Sequence, residues 1–283
     1  MRVDPLIRTV AGLREALAPA RDAGAAIGLV PTMGALHEGH EALIRRARER
    51  DDVVVVSVFV NPLQFDDPTD LAAYPRTLEA DVRAAVDAGA DWVFAPVVEE
   101  LHPSPILVSV RVGGVTERLE GAVRPGHFDG VATVVTKLFT VTAPTRAYFG
   151  EKDFQQLLVV RRLVAELHLP VEVVAVETVR DPGGLALSSR NRRLSPVGLR
   201  EARRVAQILA RHCASARVGD AAAAFRTRLL ADLGGVDLDY VEVAEPPLLE
   251  PTRALTPASR VLAAWRVEGV RLIDNRAIGG ADG

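Results

Sequence analysis

The sequence predicts an α/β protein: a doubly wound parallel sheet covered by helices, followed by a smaller α+β unit. Three observations carry this. Short apolar runs alternate with stretches of helical spacing over the first two thirds of the chain, as strands joined by crossover helices require. Val53-Val54-Val55-Val56-Ser57-Val58-Phe59-Val60 sets β-branched side chains on consecutive positions, the pattern of a strand buried on both faces. After Asp181-Pro182-Gly183-Gly184 the order changes to helices and then strands. A boundary near residue 179 follows, dividing the chain into residues 1–178 and 179–283.

The elements follow in order. Residues 26–30 are a short apolar strand leading into a helix that runs on through residues 41–50. The valine strand comes next, stopped by Pro62. Residues 77–88 read as a helix with Thr77 as its cap and Gly89 closing it. Strands are expected at 91–94 and 106–112, a helix at 131–141, a strand at 146–149, a helix at 154–167 and a strand at 171–179. In the second unit, Ala/Arg-rich helices at 199–216 and 221–233 precede short strands near 240–243, 261–267 and 270–273.

The 283 residues are 48% hydrophobic and 25% charged, enough apolar content for a proper core. A net charge of −3 argues against a general nucleic-acid or anionic-membrane binder, which carries a basic surplus. One cysteine, Cys213, makes neither an internal disulfide nor a cysteine-based metal site, and its helical surroundings suit a small buried apolar residue. Met1-Arg2-Val3-Asp4-Pro5 lacks a signal-peptide apolar region and no run approaches a membrane span, so a bacterial-type cytoplasm is the simplest compartment.

The chemistry gathers where strands end. In Pro31-Thr32-Met33-Gly34-Ala35-Leu36-His37-Glu38-Gly39-His40, a strand meets a helix start, where backbone N–H groups point outward and favour an anion. His37 and His40, three apart, are expected on one face of that helix as proton donors. A zinc protease helix spaces its histidines by four, so metal is disfavoured; a structural histidine pair is the competing reading. Asn61 and Gln64 follow the valine strand at the same sheet end, either as amides that read a small polar substrate or as a plain Asn-Pro turn. Residues 120–130 hold three glycines, Arg124 and His127, and form a long charged loop of the kind that closes over substrates, or a solvated connection. Gly150-Glu151-Lys152-Asp153 again joins strand to helix: Lys152 suits phosphate charge, Gln156 lies one turn along, and Asp153 serves equally as an N-cap. Ser188-Ser189-Arg190 offers hydroxyls and a guanidinium to a polyphosphate, or makes a serine turn. Walker and Gly-x-Gly-x-x-Gly fingerprints are absent, as are serine and cysteine nucleophile signatures.

Taken together, Pro-Thr-Met-Gly-Ala-Leu-His-Glu-Gly-His, Phe-Val-Asn-Pro-Leu-Gln-Phe, Gly-His-Phe-Asp-Gly-Val, Phe-Gly-Glu-Lys-Asp and Ser-Ser-Arg-Asn resemble the pantoate–β-alanine ligases of the His-x-Gly-His nucleotidyltransferase superfamily. The resemblance covers residues 27–194; the last third carries few diagnostic residues. It implies a Rossmann-like nucleotide- and pantoate-binding domain at 1–178 and a smaller α+β lid domain at 179–283. It also implies ATP-dependent condensation of pantoate with β-alanine through a pantoyl-adenylate, with Mg²⁺ accompanying ATP, in a homodimer bound to neither nucleic acid nor membrane. The substrate's own carboxylate then attacks, which explains the missing protein nucleophile.

By the same resemblance Met33, Gly34, Ala35, Leu36, His37, Glu38, Gly39 and His40 line the ATP site, His37 as proton donor with His40 beside it. Gly150, Glu151, Lys152 and Asp153 hold nucleotide, Val179 packs by adenine, and Leu187, Ser188, Ser189 and Arg190 close on the triphosphate. His37, His40, Lys152 and Arg190 form the catalytic set. Gln64 and Gln156 clamp pantoate with Asn61 in support, and Asp81 is a weak candidate to approach Mg²⁺. Two departures from the usual pattern stand out: Leu187 replaces a methionine, keeping the apolar volume, and Glu41 stands where an apolar residue is commoner. A transferase acting on a phosphorylated acceptor would call for more Arg or Lys than the Gln64/Gln156 pair offers. A non-catalytic nucleotide-binding module would have lost some of His37, His40, Lys152 or Arg190.

Overall fold

A computed structural model describes residues 4–279. The chain divides into two compact units. One runs from the first described residue to Gly150 and adds Val159–Val176; the other combines Glu151–Leu158 with the chain from Glu177 onward.

The first unit is a six-stranded sheet with every pairing parallel. Its elements in chain order are β1 (Leu6–Ile7), α1 (Val10–Asp22), β2 (Ile27–Thr32), α2 (Glu38–Arg48), β3 (Val53–Val58), α3 (Pro68–Ala73), α4 (Leu78–Asp87), β4 (Trp92–Phe94), α5 (Val98–Leu101), α6 (Glu120–Val123), α7 (His127–Thr142), β5 (Arg146–Gly150), the part from Val159 onward of α8 (Phe154–Glu166), whose start belongs to the second unit, and β6 (Glu172–Val176). The strand order is β1-β4-β3-β2-β5-β6. From β2 the chain builds outward through β3 and β4 on one side, then returns to lay β5 and β6 on the other. The switch point therefore lies at the carboxyl ends of β2 and β5, where open α/β sheets bind ligands. Ile27–Thr32 pairs with Val53–Val58 in register, so the loops after β2 and β3 leave the sheet at the same end. The valine strand is buried on both faces as its composition requires, and packs with Val30, Leu43, Ile44, Ala47 and Tyr148.

Two expectations fail here. Residues 106–112 are not a strand: Leu107 is 86% and Val108 73% exposed, and the Val110 N–H donates to the Thr133 hydroxyl at 2.9 Å rather than to a sheet edge. Nor is 120–130 one open loop. It contains α6, and α7 begins at His127 with that ring and Phe128 buried. α1 is an addition, a helix capped by the Thr9 hydroxyl that buries only Leu13 and Leu17 and carries Pro19 inside it.

The second unit adds α9 (Pro196–Ser215), α10 (Ala222–Asp232), β7 (Asp237–Glu245), β8 (Glu250–Pro251), β9 (Arg260–Val267) and β10 (Val270–Ala277). Its sheet is antiparallel in the order β10-β9-β7-β8. Leu209 from α9 and Phe225 and Leu229 from α10 close over Val241, Ala263 and Trp265, a core of its own, and Cys213 is buried in it. Among the described residues no helix is long and apolar enough to cross a membrane.

Candidate active site

The turn after β2 is fixed by a buried carboxylate. The N–H groups of Ala35 and Leu36 donate to the two oxygens of Asp81 at 3.1 and 2.8 Å, and the Thr77 hydroxyl adds a third bond at 3.1 Å. Asp81, expected as a weak candidate to approach Mg²⁺, is thus the anchor of the turn, with both oxygens occupied by it. Thr77 marks the start of α4 as expected, but its hydroxyl turns to Asp81 instead of capping.

His37 is not on the face of α2; it is the cap. Its backbone is extended, its Nδ1 accepts the Gly39 N–H at 3.1 Å, and the His40 Nδ1 accepts the His37 N–H at 3.3 Å. The rings lie 4.1 Å apart between centroids, tilted by 45°. Gly39 is required by this packing: a Cβ there would stand 2.9 Å from His37 Cε1 and 3.0 Å from Nδ1. Because each Nδ1 accepts a backbone proton, each neutral ring carries its own proton on Nε2. Two Nε2–H donors thus sit at a helix N-terminus, with Glu38 exposed between them.

Asn61 and Gln64 bracket a tight turn at the end of β3. Asn61 is 1% exposed and its amide is fully used: Oδ1 faces the Leu63 N–H at 3.3 Å and His102 Nε2 at 2.9 Å, while Nδ2 donates to Gln64 Oε1 at 3.0 Å and to the Gly130 carbonyl at 3.1 Å. Asn61 is therefore satisfied within the protein, and one of its bonds fixes Gln64. The Gln64 amide donates to Met33 Sδ at 2.9 Å, which sets it against the histidine-bearing turn. The Gln64 backbone carbonyl is held by His127 Nδ1 at 2.7 Å and the Arg124 guanidinium at 3.0 Å, and Arg124 pairs with Asp66. The residues expected in a closing loop are thus fastened to the turn. α7 approaches so closely that a Cβ on Gly130 would lie 2.2 Å from the Leu63 carbonyl oxygen.

Behind Asn61 lies a pair of residues with no local sequence signal. His102 is 3% exposed, its Nδ1 is 2.9 Å from Lys137 Nζ, and the same Nζ donates to the Leu101 carbonyl at 2.6 Å. Burial, and then the Lys137 charge, push His102 down to about 4.

In the second unit, Glu151–Asp153 form a tight turn before α8. The Asn275 amide nitrogen donates to the carbonyls of Glu151 at 2.8 Å and Lys152 at 2.9 Å. Glu151 pairs with Arg260 at 2.9 Å, whose guanidinium stacks 4.1 Å from the Phe154 ring centroid. Lys152 lies 3.6 Å from Asp153. Gln156 is half-buried one turn further on. Val179 and Leu187 are joined where the Leu187 N–H donates to the Val179 carbonyl at 2.9 Å, and Ser188 caps the short turn carrying Ser189 and Arg190. Bidentate bonds from Arg180 to the buried Asp274, at 2.8 and 3.0 Å, hold the start of this hairpin. Asp274 and Asn275, adjacent on β10, thus brace both segments. The adjacent Asp274-Asn275 directly after the apolar Leu272-Ile273 was the available signal.

The structure therefore gathers Met33–His40, Asn61, Gln64 and Asp81 in the first unit, with Gly150 ending the strand beside β2. It gathers Lys152, Asp153, Gln156, Val179 and Leu187–Arg190 in the second. Among the described residues no group of three or more His, Cys, Asp or Glu is placed to hold a metal ion.

A family profile described as pantoate-beta-alanine ligase matches residues 5–277. The chain is 51% identical to a pantothenate synthetase of Cereibacter sphaeroides over 96% of its own length and 98% of the relative's. It is 47% identical to a pantothenate synthetase of Moorella thermoacetica, over 95% and 97% respectively. Its fold superposes on the crystal structure of pantothenate synthetase from Thermus thermophilus with a TM-score of 0.90 at 46% identity, covering 97% of this chain and 99% of that one. The Francisella tularensis pantoate-beta-alanine ligase, crystallised with beta-gamma ATP and beta-alanine, gives 0.81 at 32% identity, covering 97% and 98%. With parallel sheet, capped histidine pair and buried glutamine turn all in place, the chain belongs to the pantoate-beta-alanine ligase family.

Proposed function

We propose that this protein condenses (R)-pantoate with β-alanine at the expense of ATP, through a pantoyl-adenylate, releasing AMP and pyrophosphate. The observation that carries the reading is the contact of Gln64 with Met33. It sets a neutral amide donor, suited to a hydroxy acid, against the turn that ends in a helix N-terminus bearing two imidazole donors, suited to phosphate. The Francisella relative's complex with an ATP analogue and β-alanine supports both substrates.

A pantoate carboxylate oxygen attacks the α-phosphorus, and the bond to the bridging oxygen of the β-phosphate breaks, releasing pyrophosphate with that electron pair. The β-alanine amine then attacks the acyl carbon, the carbon–oxygen bond to AMP breaks, and the amine proton passes to phosphate or water. The Nε2–H groups of His37 and His40 stabilise charge building on the phosphate during the first step, with Lys152 and Arg190 as further cationic donors. Met33–Leu36, Gly39, Gly150–Asp153, Val179 and Leu187–Ser189 line the nucleotide, and Gln64 and Gln156 hold pantoate. Mg²⁺ enters with ATP as part of the substrate. Work as a homodimer in the cytoplasm belongs to the same reading.

Product analysis with ATP, pantoate and β-alanine, each omitted in turn, tests this. Pyrophosphate release is expected to require pantoate, and amide formation to require all three. Pyrophosphate release without any acid would overturn it.

A further inference from the structure

Gln64 reaches its place at the end of a line that starts at the half-buried Lys137 and runs through buried groups, each of which constrains the next. Lys137 Nζ, His102, the Asn61 amide and the Gln64 amide are joined at 2.9, 2.9 and 3.0 Å, all within the first unit. An ammonium has three donors and no acceptor, so the ring nitrogen it meets, His102 Nδ1, must accept. The neutral imidazole then carries its proton on Nε2 and donates to Asn61 Oδ1. The same oxygen receives the Leu63 N–H, a second donor, which enforces the same orientation. Asn61 Nδ2 therefore points at Gln64 and the Gly130 carbonyl, both acceptors in this arrangement. Gln64 is left with Oε1 turned inward and its Nε2–H group turned to Met33.

We infer that Lys137 and His102 are positioning residues that fix the direction of the Gln64 amide, so that it meets its ligand as a hydrogen-bond donor. The pair touches no substrate; it acts by polarity. A hydroxy-acid carboxylate or hydroxyl oxygen is an acceptor, and an amide flipped by 180° would present oxygen to oxygen. Without the ammonium, His102 is free to adopt either tautomer, and with it the direction of both amides is no longer set from behind. This inference rests on the proposed role of Gln64 as a contact for pantoate.

Two measurements test it separately from that role. In two-bond ¹H–¹⁵N spectra of the whole protein, with the His102 signals assigned by their loss in His102→Gln, the ring is expected to show a bare Nδ1 and a protonated Nε2 at neutral pH. A protonated Nδ1 would overturn the inference without touching the proposed reaction. In kinetics, Lys137→Met keeps the stem and removes the donor. KM for pantoate is expected to rise roughly tenfold, the effect of one lost hydrogen bond, with KM for ATP unchanged and Lys137→Arg recovering most of it. Equal changes in both KM values, or no change, would overturn it. Gln64→Ala is the control: if it leaves KM for pantoate unaltered, the proposed site reading fails, while the ring-nitrogen spectra still decide the relay.

Discussion

His37 holds two positions at once, cap of α2 and proposed donor to the transferred phosphate, and they use different ring nitrogens. Nδ1 accepts the Gly39 N–H, and the proposed chemistry falls to Nε2–H. His37→Ala is expected to lose about 0.5–2 kcal/mol of stability with the cap and to slow adenylation about 10²–10⁴-fold with the donor. His37→Asn separates the two. A side-chain oxygen restores the cap, so the melting temperature should recover while the adenylation rate, followed by pyrophosphate release, stays low. A recovered rate would make His37 structural. His102 gives a second prediction with a definite sign. Held at about 4 against an ordinary 6.5, it refuses a proton that the unfolded chain accepts between those values. Stability is therefore full above about pH 6.5 and falls as pH drops toward 4, by roughly 2–3 kcal/mol from this group. Urea unfolding of wild type and His102→Gln at about pH 7 and pH 4.5 checks this, and wild type should lose more on acidification. His37 and His40 were legible in the sequence because their partnership is local, three residues apart in one motif. His102 and Lys137 meet only because α7 crosses behind the Asn61 turn, and no spacing in the chain announces it.

At the scale of elements, the close approach of α7 to the turn after β3 is the critical packing. Gly130→Ala would bring a methyl 2.2 Å from the Leu63 carbonyl oxygen and 2.7 Å from the Gln64 nitrogen. Backbone has to move, costing about 1–3 kcal/mol, and the movement displaces Gln64, so KM for pantoate should rise along with the loss in melting temperature. In the second unit Asn275→Ala removes both bonds to the Glu151 and Lys152 carbonyls. A stability loss of about 1–3 kcal/mol and a raised KM for ATP are expected; an unchanged KM would show that the Lys152 turn holds without its brace. The elements that the sequence announced are those with a clean period or buried on both sides: β2, β3, α7 and α9 lie within a few residues of their expected bounds. Residues 106–112 misled because an apolar run carries no mark of which side of the surface it faces. α1 went unseen because two buried leucines make too narrow a stripe, and Pro19 argues against a helix. The 120–130 segment read as loop because its order comes from Arg124 and His127 binding the Gln64 carbonyl, a contact some sixty residues away in sequence.

At the scale of the molecule, each unit has a core of its own. Leu229 is fully buried against Phe225 and Trp265 in the second unit. Leu229→Ala is expected to cost about 2–5 kcal/mol there, and hydrogen exchange should rise in β7, β9 and β10 while the amides of β2 and β3 keep their protection. The parallel sheet places the turns after β2 and β3 at one end, and that placement brings together motifs twenty-four residues apart, from His40 to Gln64, which the proposed reaction uses as one centre. The central claim is that the pantoate carboxylate itself attacks the α-phosphorus. Pantoate labelled with ¹⁸O in its carboxylate, turned over with ATP and β-alanine, tests this by mass spectrometry of the nucleotide product. One ¹⁸O in AMP is the result predicted; unlabelled nucleotide, with the label in inorganic phosphate beside ADP, would contradict it.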